Sequence, residues 1–342
     1  MKKNKRKFKI KLTIFAAVLL IMLIASCGKK NTDIKNIAAS SDSAEYKYKI
    51  YMVDSFIGYF YCNNVFKGAV DAADELGDVE LKRVGPYQIN IEKQLKEFDR
   101  AIDEGADAIF LTALIPDEWT EPINKAIEKG IPVVCYDCDA ADSERLAYYG
   151  TMNYKAGYKA GIAMSEQLGG VGKVAVMVGA KDAQNNIERL TGFEDAIKNE
   201  SDIEIVCIES TDNLLNEAIV KAEKILDEHQ DIDGIFASSG SDAQAAVQVM
   251  KNRDMEDGKI KIIGFDDDEK TLELIKNGSV AGTIVQNTYA MGYESVMHLY
   301  RALNGELPME KAENGSDSID TGIIFVTRDN ADTYKSEWKY DM

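Results

Sequence analysis

The stretch IPVVCYDCDA, residues 131–140, contains two cysteines, Cys135 and Cys138, that are separated by two residues. This spacing is typical of thiol redox centres and of metal sites. A redox centre needs its first cysteine at a helix N-terminus, where the thiolate is stabilised, but Cys135 falls inside an apolar run. A thiol oxidoreductase is therefore the weaker interpretation, and Asp137, which ends that run, is the stronger candidate for a functional residue.

The elements that must position these residues follow from the hydrophobic pattern. Short apolar, β-branched runs predict strands at 47–53, 79–84, 107–112, 131–137, 146–151, 173–179, 203–210, 232–238, 260–266 and 280–286. The continuous apolar runs among them favour strands buried on both faces. Amphipathic stretches predict helices at 63–76, 91–104, 118–129, 154–168, 187–198, 214–229 and 243–251. The alternation predicts an α/β fold with doubly wound parallel sheets and right-handed crossovers.

Polar residues follow several of these strands. Ligands of open parallel sheets bind beyond the C-terminal strand ends, where the sequence places Asp54, Ser55, Asp137, Ser239, Asp266, Gln286 and Asn287. Arg189 lies in the first turns of the helix that follows strand 173–179. A single aspartate at a strand end is more often a helix cap, but two aspartates, an arginine and a glutamine from different strands predict a binding site.

The sequence lacks the motifs that are typical of nucleotide-binding, catalytic and metal sites. The glycine-rich GGVGK at 169–173 precedes a strand, whereas a phosphate-binding loop must follow one. The two histidines, His229 and His298, have no partner spacing that suggests a catalytic triad or a metal site. The acidic run DDDE at 266–269 lacks calcium-loop spacing and suits a helix N-terminus. We therefore expect no enzyme activity, no cofactor and no metal.

The N-terminus carries an export signal. Seven Lys and Arg residues within positions 2–11 precede an apolar run that ends in Ile-Ala-Ser-Cys, which resembles a bacterial lipobox. We expect a signal peptide at 1–26, a lipid on Cys27 and a polar tether at 27–45. Acyl chains would then hold the protein on the membrane; the alternative is a simple membrane anchor with an incidental cysteine.

Net charge and chain length further limit the classes of protein to which the chain could belong. Without the leader the chain has 33 basic and 58 acidic residues, a net charge of −25, which argues against nucleic-acid binding. About 315 residues exceed what one core usually covers, so two domains are expected. The remaining cysteines, Cys62, Cys135, Cys138 and Cys207, are too few for a disulfide scaffold.

Four segments carry a resemblance to a known family: IPVVCYD, NYKAG, ERLTGFEDAI and IIGFDDDEKTLELIKNGSVAGTIVQNTYAMG. They resemble the ribose- and galactose-binding family of bacterial periplasmic sugar-binding proteins, whose type I fold is shared with LacI-like repressor cores. The resemblance implies two α/β lobes joined by a three-segment hinge, with a sugar in the cleft between them. The expected lobes are 46–151 plus 287–315 and 152–286 plus 316–342.

The resemblance also assigns roles to residues. It implies that Asp137, Arg189, Asp266 and Gln286 bind sugar hydroxyls and that Tyr61 stacks on the ring. Carboxylates accept bonds from hydroxyls, a guanidinium donates two parallel bonds and an amide does both. The loop at 55–62 adds Phe56, Tyr59 and Phe60 as apolar surface, although core packing is an equal alternative for each ring. Trp119 is a further candidate wall with the same alternative.

Some positions depart from the ribose pattern. Cys138 replaces an arginine, Ser239 replaces an asparagine, Asn213 falls near the aromatic wall of the second lobe, and Tyr59 replaces the first-loop asparagine. These changes argue against ribose itself, and Asn185 becomes a candidate hydroxyl contact. The expected ligand-binding set is Ser55, Tyr59, Tyr61, Asp137, Cys138, Asn185, Arg189, Asn213, Ser239, Asp266 and Gln286.

The leading hypothesis is a monomeric, lipid-anchored, extracytoplasmic protein that binds a monosaccharide or similar polyol and delivers it to the permease of an ABC transporter. An alternative with the same fold presents the ligand to a sensor kinase or chemoreceptor. A transcriptional regulator is opposed by the export signal, the acidic charge and the lack of a helix-turn-helix before residue 46.

Overall fold

A computed structural model describes residues 46–58, 60–312 and 317–335. Its strands are β1 (Tyr48–Val53), β2 (Val79–Val84), β3 (Ala108–Leu111), β4 (Val133–Tyr136), β5 (Ala147–Gly150), β6 (Val171–Val178), β7 (Asp202–Ser210), β8 (Gly234–Ala237), β9 (Lys261–Phe265), β10 (Gly282–Gln286), β11 (Ser318–Asp320) and β12 (Ile323–Thr327). The predicted signal peptide, the tether with Cys27, and Tyr59 lie outside the described residues.

Nine helices occur in the described part of the chain. They are α1 (Phe60–Leu76), α2 (Ile91–Asp103), α3 (Pro116–Glu128), α4 (Asn153–Leu168), α5 (Gln184–Glu200), α6 (Leu215–Glu228), α7 (Gly240–Asn252), α8 (Glu269–Lys276) and α9 (Thr288–Leu303). Gly77, Gly105 and Gly130 follow the first three helices with φ near +80°, as expected for residues that end helices in the left-handed conformation. None of the helices within these described ranges is long and apolar enough to span a bilayer.

The strands form two six-stranded sheets. The first has the order β11-β5-β4-β3-β1-β2 and the second the order β12-β10-β9-β8-β6-β7. The pairs are parallel except β10 with β12, which is antiparallel. The predicted fold of two α/β lobes with parallel sheets is therefore confirmed, with β12 as an added antiparallel edge strand. We call the lobe around each sheet the first lobe and the second lobe.

The chain passes between the sheets three times: after β5, after β10 and after β11. The first two passages lie next to the expected boundaries at 151 and 287. The third differs from the expected boundary between residues 315 and 316, because β11 pairs with β5 and places Ser318 opposite Tyr148. Residues 318–320 therefore belong to the first lobe, and the passage is the turn before β12.

Helices cover both faces of the first sheet. On one face α1 and α9 pack against Phe110 and Tyr136, and on the other face Phe98 of α2 lies with Trp119 of α3. Trp119 is fully buried and meets the ring of Phe98 edge-on, with 5.5 Å between ring centroids. The packing alternative is therefore correct for Trp119, which forms core and no ligand wall.

Candidate functional site

The first-lobe half of the site consists of Asp137 and Tyr61. Asp137 directly follows β4 in the left-handed conformation, with φ of 61°, and its carbonyl accepts a 2.8 Å bond from the hydroxyl of Tyr148. The Tyr61 hydroxyl, in the first turn of α1, donates to Oδ1 of Asp137 at 2.7 Å. The fixed backbone and the tyrosine together orient the carboxylate at the strand end.

The second-lobe carboxylate is held in a similar way. Asp266 follows β9 with φ of 69°, and its Oδ1 accepts a 3.2 Å bond from Nε2 of Gln286, the last residue of β10. Oε1 of Gln286 lies 3.3 Å from the Tyr61 hydroxyl. The contacts from Asp137 through Tyr61 and Gln286 to Asp266 therefore connect the two lobes across the cleft.

Arg189 supplies the positive charge of the site. Its side chain on α5 is buried, Nε donates to Oδ1 of Asn153 at 2.9 Å, and Nη1 donates to the Ser238 carbonyl at 3.1 Å. The guanidinium also lies 4.3 Å from the centroid of the Phe265 ring, a cation–π contact. In the described part of the chain, neither Asp137 nor Asp266 forms an ion pair with Arg189 within 4.0 Å.

Burial governs the charges of the two carboxyl groups. It raises the pKa of Asp137, while the Tyr61 hydrogen bond and the nearby Arg189 act in the opposite direction. It also raises the pKa of Asp266 to about 6, against the opposing influence of Arg189 and Gln286. The ionised forms are thus incompletely compensated by the protein, and hydroxyl donors from a ligand would stabilise them.

Amide and hydroxyl groups line the second lobe near Arg189. The Ser238 hydroxyl donates to Oδ1 of Asn186 at 3.1 Å. Asn213 is exposed, has φ of 57°, and lays its amide against Gly179, where a Cβ would meet Oδ1 of Asn213 at 2.1 Å and Nδ2 of Asn186 at 3.0 Å. Glycine at position 179 therefore leaves free the space that the Asn213 amide occupies near Asn186.

The remaining predicted residues lie farther from these contacts. Ser239 occupies the N-cap position of α7 without a side-chain capping bond, and its hydroxyl lies 3.0 Å from that of Ser241. Oδ1 of Asn185 accepts a bond from the Asn186 backbone amide at 2.8 Å. Ser55 is buried directly after Asp54. Among the described contacts, none joins these three side chains to the carboxylates, so their roles as ligand contacts stay predictions.

The two cysteines differ in surroundings, and neither resembles a redox centre. Cys135 is fully buried in β4, where burial raises the pKa of its thiol to about 12. Cys138 is partly buried with its sulfur 3.5 Å from Oδ2 of Asp137, and burial raises its pKa well above the ordinary value. Both thiols are therefore protonated at neutral pH, which opposes thiolate chemistry. Cys138 lies beside the carboxylate, as its place in the sequence suggests.

Three residues outside the predicted set belong to the site. Asn153 accepts a bond from Nε of Arg189, Asn186 accepts one from the Ser238 hydroxyl, and the Tyr148 hydroxyl donates to the Asp137 carbonyl. Asn153 follows the first passage between the lobes, a position that could have marked it in the sequence. Tyr148 carries no such signal, since it lies inside a strand and acts through its hydroxyl.

The arrangement can bind a small molecule rich in hydroxyl groups. Two carboxylates accept, Arg189 donates, and the amides of Gln286 and Asn213 can do both. The groups come from different strands and helices of two lobes, so a ligand between them would bond to both lobes at once.

The chain is similar to known binding proteins over most of its length. A model of the periplasmic binding protein domain matches residues 50–307. GanP, a glucose-galactose binding protein from Geobacillus stearothermophilus, is 34% identical with a TM-score of 0.75 over 83% of this chain and 98% of its own. A chain of the XylFII-LytSN complex is 35% identical with a TM-score of 0.72, covering 83% and 98%.

A related protein of known name is also a sugar-binding protein. The xylose/arabinose-binding protein XylF of Sulfolobus acidocaldarius is 24% identical over 278 residues, which cover 77% of this chain and 67% of the relative. The matched lengths span both lobes and the site between them.

Proposed function

Because the chain belongs to the periplasmic binding protein domain family, whose members are binding proteins and not enzymes, we propose that it binds a monosaccharide or similar polyol between its lobes. The bound sugar is then delivered to the permease of an ABC transporter. Asp137, Arg189, Asp266 and Gln286 bond to its hydroxyls. The names of the similar proteins, which bind glucose, galactose, xylose or arabinose, support this ligand class.

The observation that carries the proposal is the state of the buried charges. Arg189 and Asp266 are each less than a tenth exposed and come from the same lobe, yet they form no ion pair with each other. Leaving buried polar groups without full partners costs about 1–3 kcal/mol for each group. Ligand hydroxyls placed between them would satisfy both, and this gain favours the form in which both lobes contact the ligand.

A thermal-shift screen tests the proposal. The panel contains D-glucose, D-galactose, D-xylose, L-arabinose, D-ribose and xylitol, each at several concentrations. A ligand that binds only the folded protein raises Tm with concentration. We expect at least one aldose to raise Tm, and the same sugar to have a much weaker effect on Asp137→Asn. If no member of the panel raises Tm, the proposal is contradicted.

The N-terminal sequence supports a lipoprotein held on the outer face of the cell membrane, with Cys27 as the lipidated residue. Labelling of producing cells with a radioactive fatty acid tests this point. We expect label in the wild-type protein and none in Cys27→Ser, with the variant released into the medium or periplasm. Equal labelling of both proteins contradicts lipidation at Cys27.

A second output is a protein partner other than a transporter, such as a sensor kinase or chemoreceptor. It is favoured by the similarity to a chain of the XylFII-LytSN complex. Crosslinking in producing cells, followed by identification of the captured membrane proteins, separates the two. A permease among the sugar-dependent crosslinks supports transport, and a receptor in its place supports signalling.

A further inference from the structure

A buried ion pair lies within the first lobe, apart from the proposed ligand contacts. Asp54 is fully buried, and its Oδ2 lies 2.6 Å from Arg83, whose side chain is 11% exposed. Oδ1 of Asp54 accepts a 2.6 Å bond from the Tyr136 hydroxyl. Such a pair contributes little net stability, but it fixes geometry because each charge needs its partner.

The other donors of Arg83 reach the segment that carries the aromatic residues. Nη1 donates to Oδ1 of Asn63 at 2.8 Å and Nη2 to the Ile57 carbonyl at 3.2 Å, and the guanidinium lies 5.0 Å from the Phe66 ring centroid. One planar group thus connects the end of β1, the loop before α1 and α1 itself. A lysine could not make these contacts together, since it lacks the planar fork.

The contacts around Asp54 and Arg83 extend to residues that neighbour Tyr61 and Asp137 in the sequence. Asn63 lies two residues after Tyr61 on α1, and Tyr136 directly precedes Asp137. Each partner of the 2.7 Å hydrogen bond between Tyr61 and Asp137 therefore has a near neighbour in sequence, Asn63 or Tyr136, that is hydrogen-bonded to Arg83 or Asp54.

We propose that Arg83 is a positioning residue: it holds α1 against β4 so that the Tyr61 hydroxyl orients the Asp137 carboxylate for the ligand. This inference rests on the proposed function. Arg83 itself does not contact the ligand, so its influence on affinity passes through Tyr61.

A double-mutant cycle tests this route. Arg83→Lys keeps a charge beside Asp54, and Asn63→Ala removes only the exposed attachment to α1, so both variants retain the buried pair. With the tightest-binding sugar among D-glucose, D-galactose, D-xylose and L-arabinose, we expect each to raise Kd by about tenfold and by less than about twofold in a Tyr61→Phe background. Equal loss in both backgrounds, or no loss, overturns the inference.

Amide hydrogen exchange without sugar provides a second readout. In Arg83→Lys and Asn63→Ala we expect faster exchange in residues 54–63 and unchanged exchange in β6 and β8 of the second lobe. Unchanged exchange at 54–63, or a uniform increase along the chain, contradicts local positioning.

The matched control is Arg253→Lys, which makes the same chemical change at a surface pair, where Arg253 lies 2.8 Å from Asp227. It should leave both readouts unaltered. If no member of the six-compound panel binds the wild-type protein, the proposed function fails, and the exchange measurement alone then decides whether Arg83 positions α1.

Discussion

Arg189 holds a permanent charge with only 5% of its surface exposed, in a position where a carboxylate partner would be expected. Asn153, the Ser238 carbonyl and the Phe265 ring hold it instead. These neutral groups fix the direction of the guanidinium without neutralising it. We propose that the guanidinium is held ready for hydroxyl acceptors of a ligand, with its planar fork as the element of specificity.

Arg189→Lys should therefore weaken sugar binding while the protein stays folded. Lysine keeps the charge but cannot bond to Asn153, the Ser238 carbonyl and a ligand in one plane, and we expect a loss of about 1–3 kcal/mol, roughly 5- to 150-fold in Kd. Isothermal titration calorimetry measures the change, with Arg253→Lys as the control. An unchanged Kd contradicts the assigned role.

The raised pKa of Asp266 leads us to expect that the affinity for sugar depends on pH. Its pKa is raised to about 6 by burial, and hydroxyl donors favour the ionised form, so bound sugar should lower that pKa and release protons near pH 6. Affinity should then fall as pH drops through 6, and Asp266→Asn should show weaker binding without this dependence. Titrations between pH 5 and 8, in buffers of different ionisation heat, measure both effects.

Other charged groups near Asp266 could also affect the pH dependence of binding, and their effects are distinguished by mutation. Arg189 and Asp267 act on its pKa, and the buried Asp242, whose own pKa is about 6, senses Asp266 in turn. Asp242→Asn should leave the pH dependence of binding in place. Affinity that is constant across this range in the wild-type protein contradicts a ligand-bound Asp266.

At the scale of elements, the crossing of α4 and α5 sets the position of Arg189. A Cβ at Gly157 of α4 would lie 1.9 Å from the Arg189 carbonyl, and one at Gly192 of α5 would lie 2.0 Å from the Tyr154 carbonyl. The two helices therefore touch backbone to backbone at the turn that carries the arginine, and only glycine allows this approach.

Gly157→Ala should move this turn and disturb Arg189. We expect destabilisation of about 1–3 kcal/mol or more, as for other overpacked cores, together with a weaker affinity for sugar. Gly161→Ala is the matched control on the same helix pair, since its Cβ would meet Ala196 at 2.6 Å and not Arg189. Urea unfolding and calorimetry measure both quantities. Equal affinity losses in the two variants contradict the link to Arg189.

His298 of α9 links that helix to β5. Its Nδ1 lies 3.0 Å from the Tyr149 hydroxyl, and burial lowers its pKa from 6.5 to about 4, with Arg301 adding to the effect. The unfolded chain therefore takes up a proton at a higher pH than the folded protein, so this residue's contribution to stability is present above 6.5 and declines as pH falls toward 4.

His298→Gln should remove that decline. The free energy of unfolding, measured in urea at several pH values, should fall less steeply below pH 6.5 in the variant than in the wild type. Comparing the two proteins cancels the opposite trend of Asp266 and Asp242, whose raised pKa values favour the folded state as pH falls. Parallel pH profiles contradict a buried neutral His298.

At the scale of the whole molecule, three chain passages join the lobes and are bonded to one another. The Thr321 amide donates to the Gly150 carbonyl at 2.8 Å, the Met152 amide to Oδ1 of Asp320 at 3.3 Å, and the Asn287 amide to the Gly322 carbonyl at 3.3 Å. We expect such short, mutually bound passages to restrict relative motion of the lobes to rotation about one region.

Much of this architecture could be predicted from the sequence, because ten of the twelve strands coincide with short runs rich in apolar, β-branched residues. Asp137, Asp266 and Gln286 followed from their places at strand ends. The third passage was misplaced because β11 has only three residues, and its pairing with β5 depends on long-range contacts. The roles of Asn153 and Tyr148 depend on side-chain directions that no spacing reveals.

The most direct test of the proposed function is a crystal structure of the protein with its tightest-binding sugar. It should show one molecule between the lobes, with hydroxyls within hydrogen-bond distance of Asp137, Asp266 and the Arg189 guanidinium. A sugar bound outside the cleft, or held in it without contact to these three side chains, would contradict the assignment.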